Sequence, residues 1–588
     1  MLATACTTPP AASDAGAGDA STDAATDAAD APPDACDPSP TALPGDRAIA
    51  AGSLLPEATF DALHGATFSL TDFHRPCAPS ASLVVLRSMT AWSARSGWQA
   101  EHTSRLLAHP SRARFAVVDV LTAGPDNLPS TAADLDAWSR RYDAMPDALG
   151  LDPTERYAAL AFAGIALPIV VFVDARDLRV VRVLYGPRAG EIEHAIDETL
   201  ARLDGTTPPA AFAPTLTDGR FSEDEWALIS GMRWPDTLPP DPSNAHADDP
   251  AAAALGATLF DDGGLSPAGV SCLSCHQAAH GYGDALPVGH GVTDVTRNTP
   301  TILGSALLGW AFWDGRADSL WAQALGPIES AAEMGSSRLF VAHRIADTYR
   351  TDYEAVFGPL ADLSDAARFP PRGAPGDAAW DAMSAADQET VTRIFVNVGK
   401  AIEAFERTQR PPATAFDAYL GGDMGALSEL ERDGLREFVV EGCLDCHHGP
   451  LLSNGAFHDI LMPGAGTGDQ ADLGRFAAYA RIEASPFRRV GAYSDDTAAT
   501  DPLAGLTAFP DSTRGAFRTP TLRALRLTAP YGHAGTFASL MDVVSHYSMS
   551  RLPHMPDARV VGTLDRHVLG FDPVVEHLAP LVAFLSVL

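Results

Sequence analysis

Positive charge is scarce in this chain: 41 Lys and Arg stand against 75 Asp and Glu over 588 residues, a formal net charge of −34. That balance argues against non-specific binding to nucleic acid or anionic lipid, which needs clustered basic side chains. It suits a protein that meets basic partners. Long apolar runs are missing too. No stretch of about 18 apolar residues occurs, so no membrane-spanning helix is expected. With 46% hydrophobic and 20% charged residues, the chain can still bury sizeable cores, and its length suggests three or four domains. Cysteine is rare, seven in all, too few for a disulfide scaffold of this size. Cys6, Cys36 and Cys77 stand apart. The other four form two pentapeptides, Cys272-Leu273-Ser274-Cys275-His276 and Cys443-Leu444-Asp445-Cys446-His447.

C-x-x-C-H is the attachment pattern of c-type haem. Two thiols at this spacing add across the vinyl groups of one porphyrin, and the adjacent imidazole reaches the iron. A shared zinc site would have to join pairs separated by about 170 residues, unlike a compact zinc finger. A redox dithiol leaves the histidine that follows each pair unexplained. Two covalently bound haem c groups are therefore expected, with Cys272, Cys275 and His276 holding one and Cys443, Cys446 and His447 the other. Such attachment implies the bacterial periplasm or an equivalent exported compartment.

Residues 1–45 are built from Ala, Asp, Thr, Ser and Pro, with eight aspartates from Asp14 to Asp46 and no basic residue before Arg47. Such a segment repels itself and has little to bury, so a disordered tether is expected. Leu2-Ala3-Thr4-Ala5-Cys6 resembles the end of a bacterial lipoprotein signal, without the basic and apolar regions that precede one. Lipidation at Cys6, with anchoring to the outer membrane, and a plain flexible terminus are the two readings.

Residues 46–205 alternate strands and helices. β-Branched runs occur at 83–86, 115–121, 169–173 and 180–184, followed by an amphipathic helix with Ile192, Ala195, Ile196, Leu200 and Leu203 on one face. The order resembles a thioredoxin-like (redoxin) domain. The likeness rests on Gly65–Phe73, on Leu167-Pro168 before a strand, and on Trp92-Ser93-Ala94-Arg95-Ser96, where that family usually has W-C-x-x-C. Both cysteine positions hold serine, which cannot form a mixed disulfide, so the domain is expected to be redox-inactive and to serve as a docking module. Cys77 is expected as a small buried residue, with pairing to Cys36 as the alternative. Residues 206–250 are expected as a Pro- and Asp-rich linker. Segments 251–425 and 426–588 each lead with a helical stretch into C-x-x-C-H, which suggests a distant duplication. The fold class is thus multidomain: an α/β thioredoxin-like domain followed by two mainly α-helical cytochrome c-type haem domains.

Several further stretches occur together: Arg297-Asn298-Thr299-Pro300-Thr301, Phe312-Trp313-Asp314-Gly315-Arg316, Gln323, Gly326-Pro327, Glu333-Met334 and Phe517-Arg518-Thr519-Pro520-Thr521. From about Phe221 onward the chain resembles the bacterial di-haem cytochrome c peroxidase and MauG family. The resemblance implies roles. His276 is the proximal ligand of a peroxidatic haem, with Gln323, Pro327 and Glu333 in its distal pocket. Glu333 is the candidate proton shuttle. Trp313 lies between the haems as an electron path, with plain core packing as its alternative. Arg518 sits beside haem propionates. Asn298, Thr528 and Pro530 match a calcium site.

His290, flanked by glycines, matches a loop histidine that caps the peroxidatic iron in the oxidised peroxidases, and those glycines are expected to let the loop move. His447 is the proximal ligand of the second haem. Its opposite ligand is methionine in the peroxidases, fourteen residues after the His of Tyr-x-His-x-Gly. Here that motif is Tyr531-Gly532-His533-Ala534-Gly535 and the fourteenth residue is Tyr547, as in MauG-type members; Met541 and Met549 are the alternatives. The leading expectation is reduction of hydrogen peroxide with electrons from a small cytochrome c or cupredoxin. The second is a MauG-like enzyme that uses peroxide and a high-valent di-haem state to oxidise a protein partner. The third is a non-catalytic electron-transfer or redox-sensing protein. A dimer is compatible with all three.

Overall fold

In the computed structural model, residues 51–55, 57–154, 167–466, 471–549, 557, 559–565, 568 and 575–588 are described, the side chains of 548, 549, 575 and 576 excepted. The tether, Cys6, Cys36 and the side chain of Met549 lie outside the described residues.

Uninterrupted β-branched runs need cover on both faces, and two of them obtain it in one sheet. Strands β1 (Thr59–Ala62), β2 (Thr67–Ser69), β3 (Leu83–Thr90), β4 (Phe115–Ala123), β5 (Ala148–Leu151), β6 (Ile169–Asp174) and β7 (Arg179–Tyr185) form it in the order β2-β1-β5-β4-β3-β6-β7. Every residue of β3 and β6 is buried. β3 runs parallel to β4 and antiparallel to β6, and β7 is antiparallel to β6. The parallel pairs need crossovers, supplied by the helices Ala94–Glu101 and Ala132–Arg141. The helix Glu191–Leu203 buries Ile192, Ala195, Ile196 and Leu200. The order β4-β3-β6-β7, a helix after β3 and the cis Leu167-Pro168 bond before β6 make this a thioredoxin-like fold. Cys77 departs from expectation: it is exposed rather than buried, and it is disulfide-bonded.

Residues 206–250 are more than a linker. They carry the helix Glu223–Ser230, begun by a capping box between Ser222 and Glu225. Phe221, Ile229 and Met232 are fully buried in the core that surrounds the second C-x-x-C-H motif. Proline-rich composition hides such isolated apolar anchors.

The two haem-motif segments repeat one construction. A helix precedes each motif, Pro250–Asp261 and Glu429–Val440, and each crosses a later helix, Ala385–Glu406 and Val575–Leu585. Both crossings are closed by a glycine. A Cβ on Gly256 would come within 1.9 Å of the Ala401 carbonyl oxygen, and one on Gly434 within 1.9 Å of the Pro580 carbonyl oxygen. No larger residue permits the helices to approach so closely. No helix among the described residues is long and apolar enough to cross a membrane.

Candidate functional site

Cys272–Cys275 and Cys443–Cys446 each form a single helical turn, which sets residues three apart on one face. All four thiols are free. Burial pushes the Cys272 thiol up to about 12 and the Cys443 thiol up as well. Burial of this kind disfavours the thiolate that an exchanging dithiol uses. The chain then leaves the turn and closes back on the imidazole. His276 Nδ1–H donates to the Tyr282 carbonyl at 3.0 Å, and His447 Nδ1–H to the Leu452 carbonyl at 2.9 Å. This fixes each tautomer and keeps Nε2 available as a ligand. Burial lowers both imidazole pKa values, His447 to about 4, so both remain neutral and able to ligate.

The second motif opens on a large, mainly apolar cavity that Cys443, Cys446 and His447 line together with Trp313, Arg518 and Tyr547. Arg518 bears on whether a haem suits this cavity. Its guanidinium is buried and donates to the Phe312 carbonyl at 3.2 Å and the Thr519 carbonyl at 3.4 Å. Among the described residues no carboxylate pairs with it, and burial alone pushes it down to about 10. A buried cation with neutral partners is costly. An anionic group such as a propionate supplies what the site lacks. Two thiols, a neutral imidazole and an unpaired guanidinium around an apolar cavity thus fit haem c. Burial, followed by the nearby Cys446 and Cys443, pushes the Tyr547 hydroxyl upward. Met541 is 40% exposed on the helix Leu540–Met549.

At the first motif, the Glu333 carboxylate lies close enough to act electrostatically on Cys272, Cys275 and His276. It lines a separate pocket with Phe312, Arg316 and Glu329. Gln323 and Pro327 stand one turn apart on the helix Leu320–Glu329 and so share a face. Pro327 has no N–H to bond the Gln323 carbonyl. Phe312, at φ +67°, faces the Glu333 pocket, whereas the next residue, Trp313, faces the second cavity. The chain therefore passes between the two sites at this dipeptide. The Trp313 indole N–H donates to the Asn298 carbonyl at 2.9 Å.

The His290 loop lies against the first motif, its carbonyl oxygen 3.5 Å from Cys275 Sγ. Its imidazole is turned outward, 60% exposed, with Nδ1 2.6 Å from Asp294. The flanking glycines serve close packing here rather than an unusual backbone conformation. A Cβ on Gly291 would come within 2.3 Å of the Glu333 carbonyl oxygen, and the Val292 N–H donates to that same oxygen at 2.9 Å. The loop thus braces the Glu333 segment. Asn298, Thr528 and Pro530 all line the second cavity; the Asn298 amide N–H donates to the Leu286 carbonyl at 2.8 Å.

Sequence reasoning missed two groups. His458 is buried on the wall of the second cavity, Nδ1 2.7 Å from Asp565. A lone histidine and a carboxylate 107 residues later carry no pattern. Arg297, quoted only as part of a motif, bridges Asp314 and Asp472, each at 2.7 Å.

The profile of the family described as di-haem cytochrome c peroxidase matches residues 250–425. Cytochrome c551 peroxidase of Pseudomonas aeruginosa is 33% identical over 299 residues, covering 50% of this chain and 70% of that protein. Methylamine utilization protein MauG of Methylorubrum extorquens is 31% identical over 340 residues, covering 57% of this chain and 78% of that protein. A solved MauG-like protein associated with microbial copper homeostasis is 26% identical and covers 60% of this chain and 95% of that chain, with a TM-score of 0.43. The chain belongs to the di-haem cytochrome c peroxidase and MauG family, with a thioredoxin-like domain, lacking the C-x-x-C cysteines, ahead of the family region.

Proposed function

We infer that this enzyme reduces hydrogen peroxide to water, taking two electrons and two protons per peroxide, with the electrons drawn from a small redox protein. The observation that carries this reading is Glu333, a carboxylate in its own pocket whose charge reaches Cys272, Cys275 and His276. The two haems, when bound, would relay the donor's electrons and supply the redox-active iron. His276 would hold the peroxidatic iron and His447 the second, each through the Nε2 left available by its Nδ1 hydrogen bond. Glu333 takes the proton from one peroxide oxygen and returns it to the departing one. Gln323 and Pro327, one turn apart on the helix Leu320–Glu329, belong to the same proposal as distal groups, Arg518 would offset propionate charge, and Trp313 bridges the gap between the two sites. Asn298, Thr528 and Pro530 would hold calcium with hard oxygen ligands.

Glu333→Gln keeps the side-chain shape and removes the shuttle. It is expected to lower kcat by about 10²–10⁴-fold, the usual worth of such a group, with both haem spectra unchanged. Unchanged turnover would remove Glu333 from the mechanism.

Tyr547 favours a second reading, oxidation of a protein partner as its MauG relatives suggest. A phenolate ligand stabilises ferric iron where a thioether favours ferrous iron. The requirement for prior one-electron reduction separates the two: a peroxidase of the reductively activated type needs it. An exported location accompanies either reading, and the disulfide at Cys77 supports an oxidising compartment. Anchoring through Cys6 belongs to the same proposal.

A further inference from the structure

A working thioredoxin face must be reachable by its substrate. Here that face is closed: Ser93 and Ser96, at the two vacated cysteine positions, are 3% and 0% exposed. What covers them is the second haem-motif segment of the same chain. Arg95 Nη2 donates to the Val439 carbonyl at 2.7 Å, at the end of the helix that leads into the motif. Its Nε lies 3.8 Å from Asp445, inside Cys443-Leu444-Asp445-Cys446-His447. Trp92 meets the His458 ring edge-on at 4.9 Å. Cys446 itself packs against the core of the thioredoxin-like sheet.

The loop after β4 makes a second attachment with three consecutive residues. Asp126 accepts from the Trp310 indole at 2.8 Å and lies 3.6 Å from Arg475. That guanidinium is clasped by the rings of Trp310, Phe457 and Phe509 at 4.2, 4.0 and 4.3 Å. Asn127, at φ +60°, donates to the Phe457 carbonyl at 3.1 Å and to Asp565 at 2.9 Å, and lies 3.2 Å from His458 Nδ1. Leu128 packs into the same aromatic cluster. The effect falls on His458. Its Nδ1 is engaged by Asp565, while its ring is buried beside Cys446 and belongs to a side chain on the cavity wall.

We propose that the thioredoxin-like domain is a fixed wall of the second haem pocket rather than a surface for capturing a partner. Trp92, Arg95 and Asn127 are positioning residues that hold His458, and the C-x-x-C-H turn beside it, against the group borne on Cys443 and Cys446. The electron donor must then approach by another edge, because the Cys446 side is occupied by the chain itself.

The test uses the full-length holoprotein. Asn127→Leu keeps the branching of the side chain and removes both N–H donors. It is expected to shift the midpoint potential of the haem on His447 while that on His276 stays in place. The exposed Arg140→Ala change on the helix Ala132–Arg141 should move neither. If Asn127→Leu also leaves both potentials unchanged, the positioning role is overturned. Hydrogen exchange on the unmutated holoprotein decides the wall independently of any variant and of turnover. The amides of 92–96 and 126–128 should exchange as slowly as those of Glu429–Val440; exchange at the rate of an open surface loop would overturn the proposal.

Discussion

At the scale of single residues, the second site depends on polar groups held in an apolar setting. His533, the histidine of Tyr531-Gly532-His533, is 2% exposed and stacks on Phe517 with ring centroids 3.6 Å apart. Burial pushes its imidazole down to about 4, below the ordinary value near 6.5. The sign follows from linkage. Between those two values the unfolded chain binds a proton that the folded chain does not, so stability present above about pH 6.5 is lost as pH falls toward 4. The slope from this group is at most about 1.4 kcal/mol per pH unit. Urea unfolding across that range should show the decline, and His533→Phe should flatten it; an identical slope in the variant would assign the loss to other groups. The candidate site residues were legible in the sequence where they fell in local patterns. C-x-x-C-H, Gln323 to Glu333, and Tyr547 counted from His533 are such patterns, and the structure puts Tyr547 and His447 on one cavity. His458 was not legible, because its partners Asp565, Asn127 and Trp92 come from three distant parts of the chain.

At the scale of elements, the runs at 83–86 and 169–173 were legible because central strands covered on both faces need unbroken apolar sequence. The buried pair between Arg87 and Asp119, 2.7 Å apart on neighbouring strands, was hidden for the opposite reason: charges inside such runs read as exposed. The helix Glu223–Ser230 was concealed by its proline-rich flanks. The repeated crossing of helix on helix was visible only as two helical stretches before two motifs. Its closing device, Gly256 in one copy and Gly434 in the other, needs coordinates. A Gly434→Ala change adds a Cβ 1.9 Å from the Pro580 backbone oxygen. Overpacking of this kind costs ~1–3 kcal/mol, against the roughly 1 kcal/mol that alanine gains inside a helix. Because the backbone must move apart, the net change is expected to be destabilising. Denaturant unfolding should show a lower midpoint, and a raised midpoint would contradict the close crossing.

At the scale of the whole molecule, the charge of −34 bears on how electrons arrive. Part of it lies in the eight aspartates from Asp14 to Asp46, but most belongs to the later residues. An acidic surface raises the encounter rate of a basic donor, and salt screens that attraction over a Debye length of about 8–10 Å. Turnover with a basic cytochrome as donor is therefore expected to fall as ionic strength rises, chiefly through kcat/KM. A flat response would exclude electrostatic steering of the donor. The thioredoxin-like domain changes meaning at this scale too. Its fold was legible from strand order and Leu167-Pro168, whereas its attachment to the second haem site was not, since nothing in Trp92-Ser93-Ala94-Arg95-Ser96 names Asp445 or His458 as its partner.

The most direct test of peroxide reduction at the His276 site is low-temperature electron paramagnetic resonance of the ferric holoprotein, before and after one-electron reduction. The expected result is that one electron silences the haem on His447, the half-reduced protein shows a high-spin ferric haem on His276, and added peroxide then removes that high-spin signal. Two haems that both stay low-spin, and whose signals peroxide leaves unchanged, would contradict it.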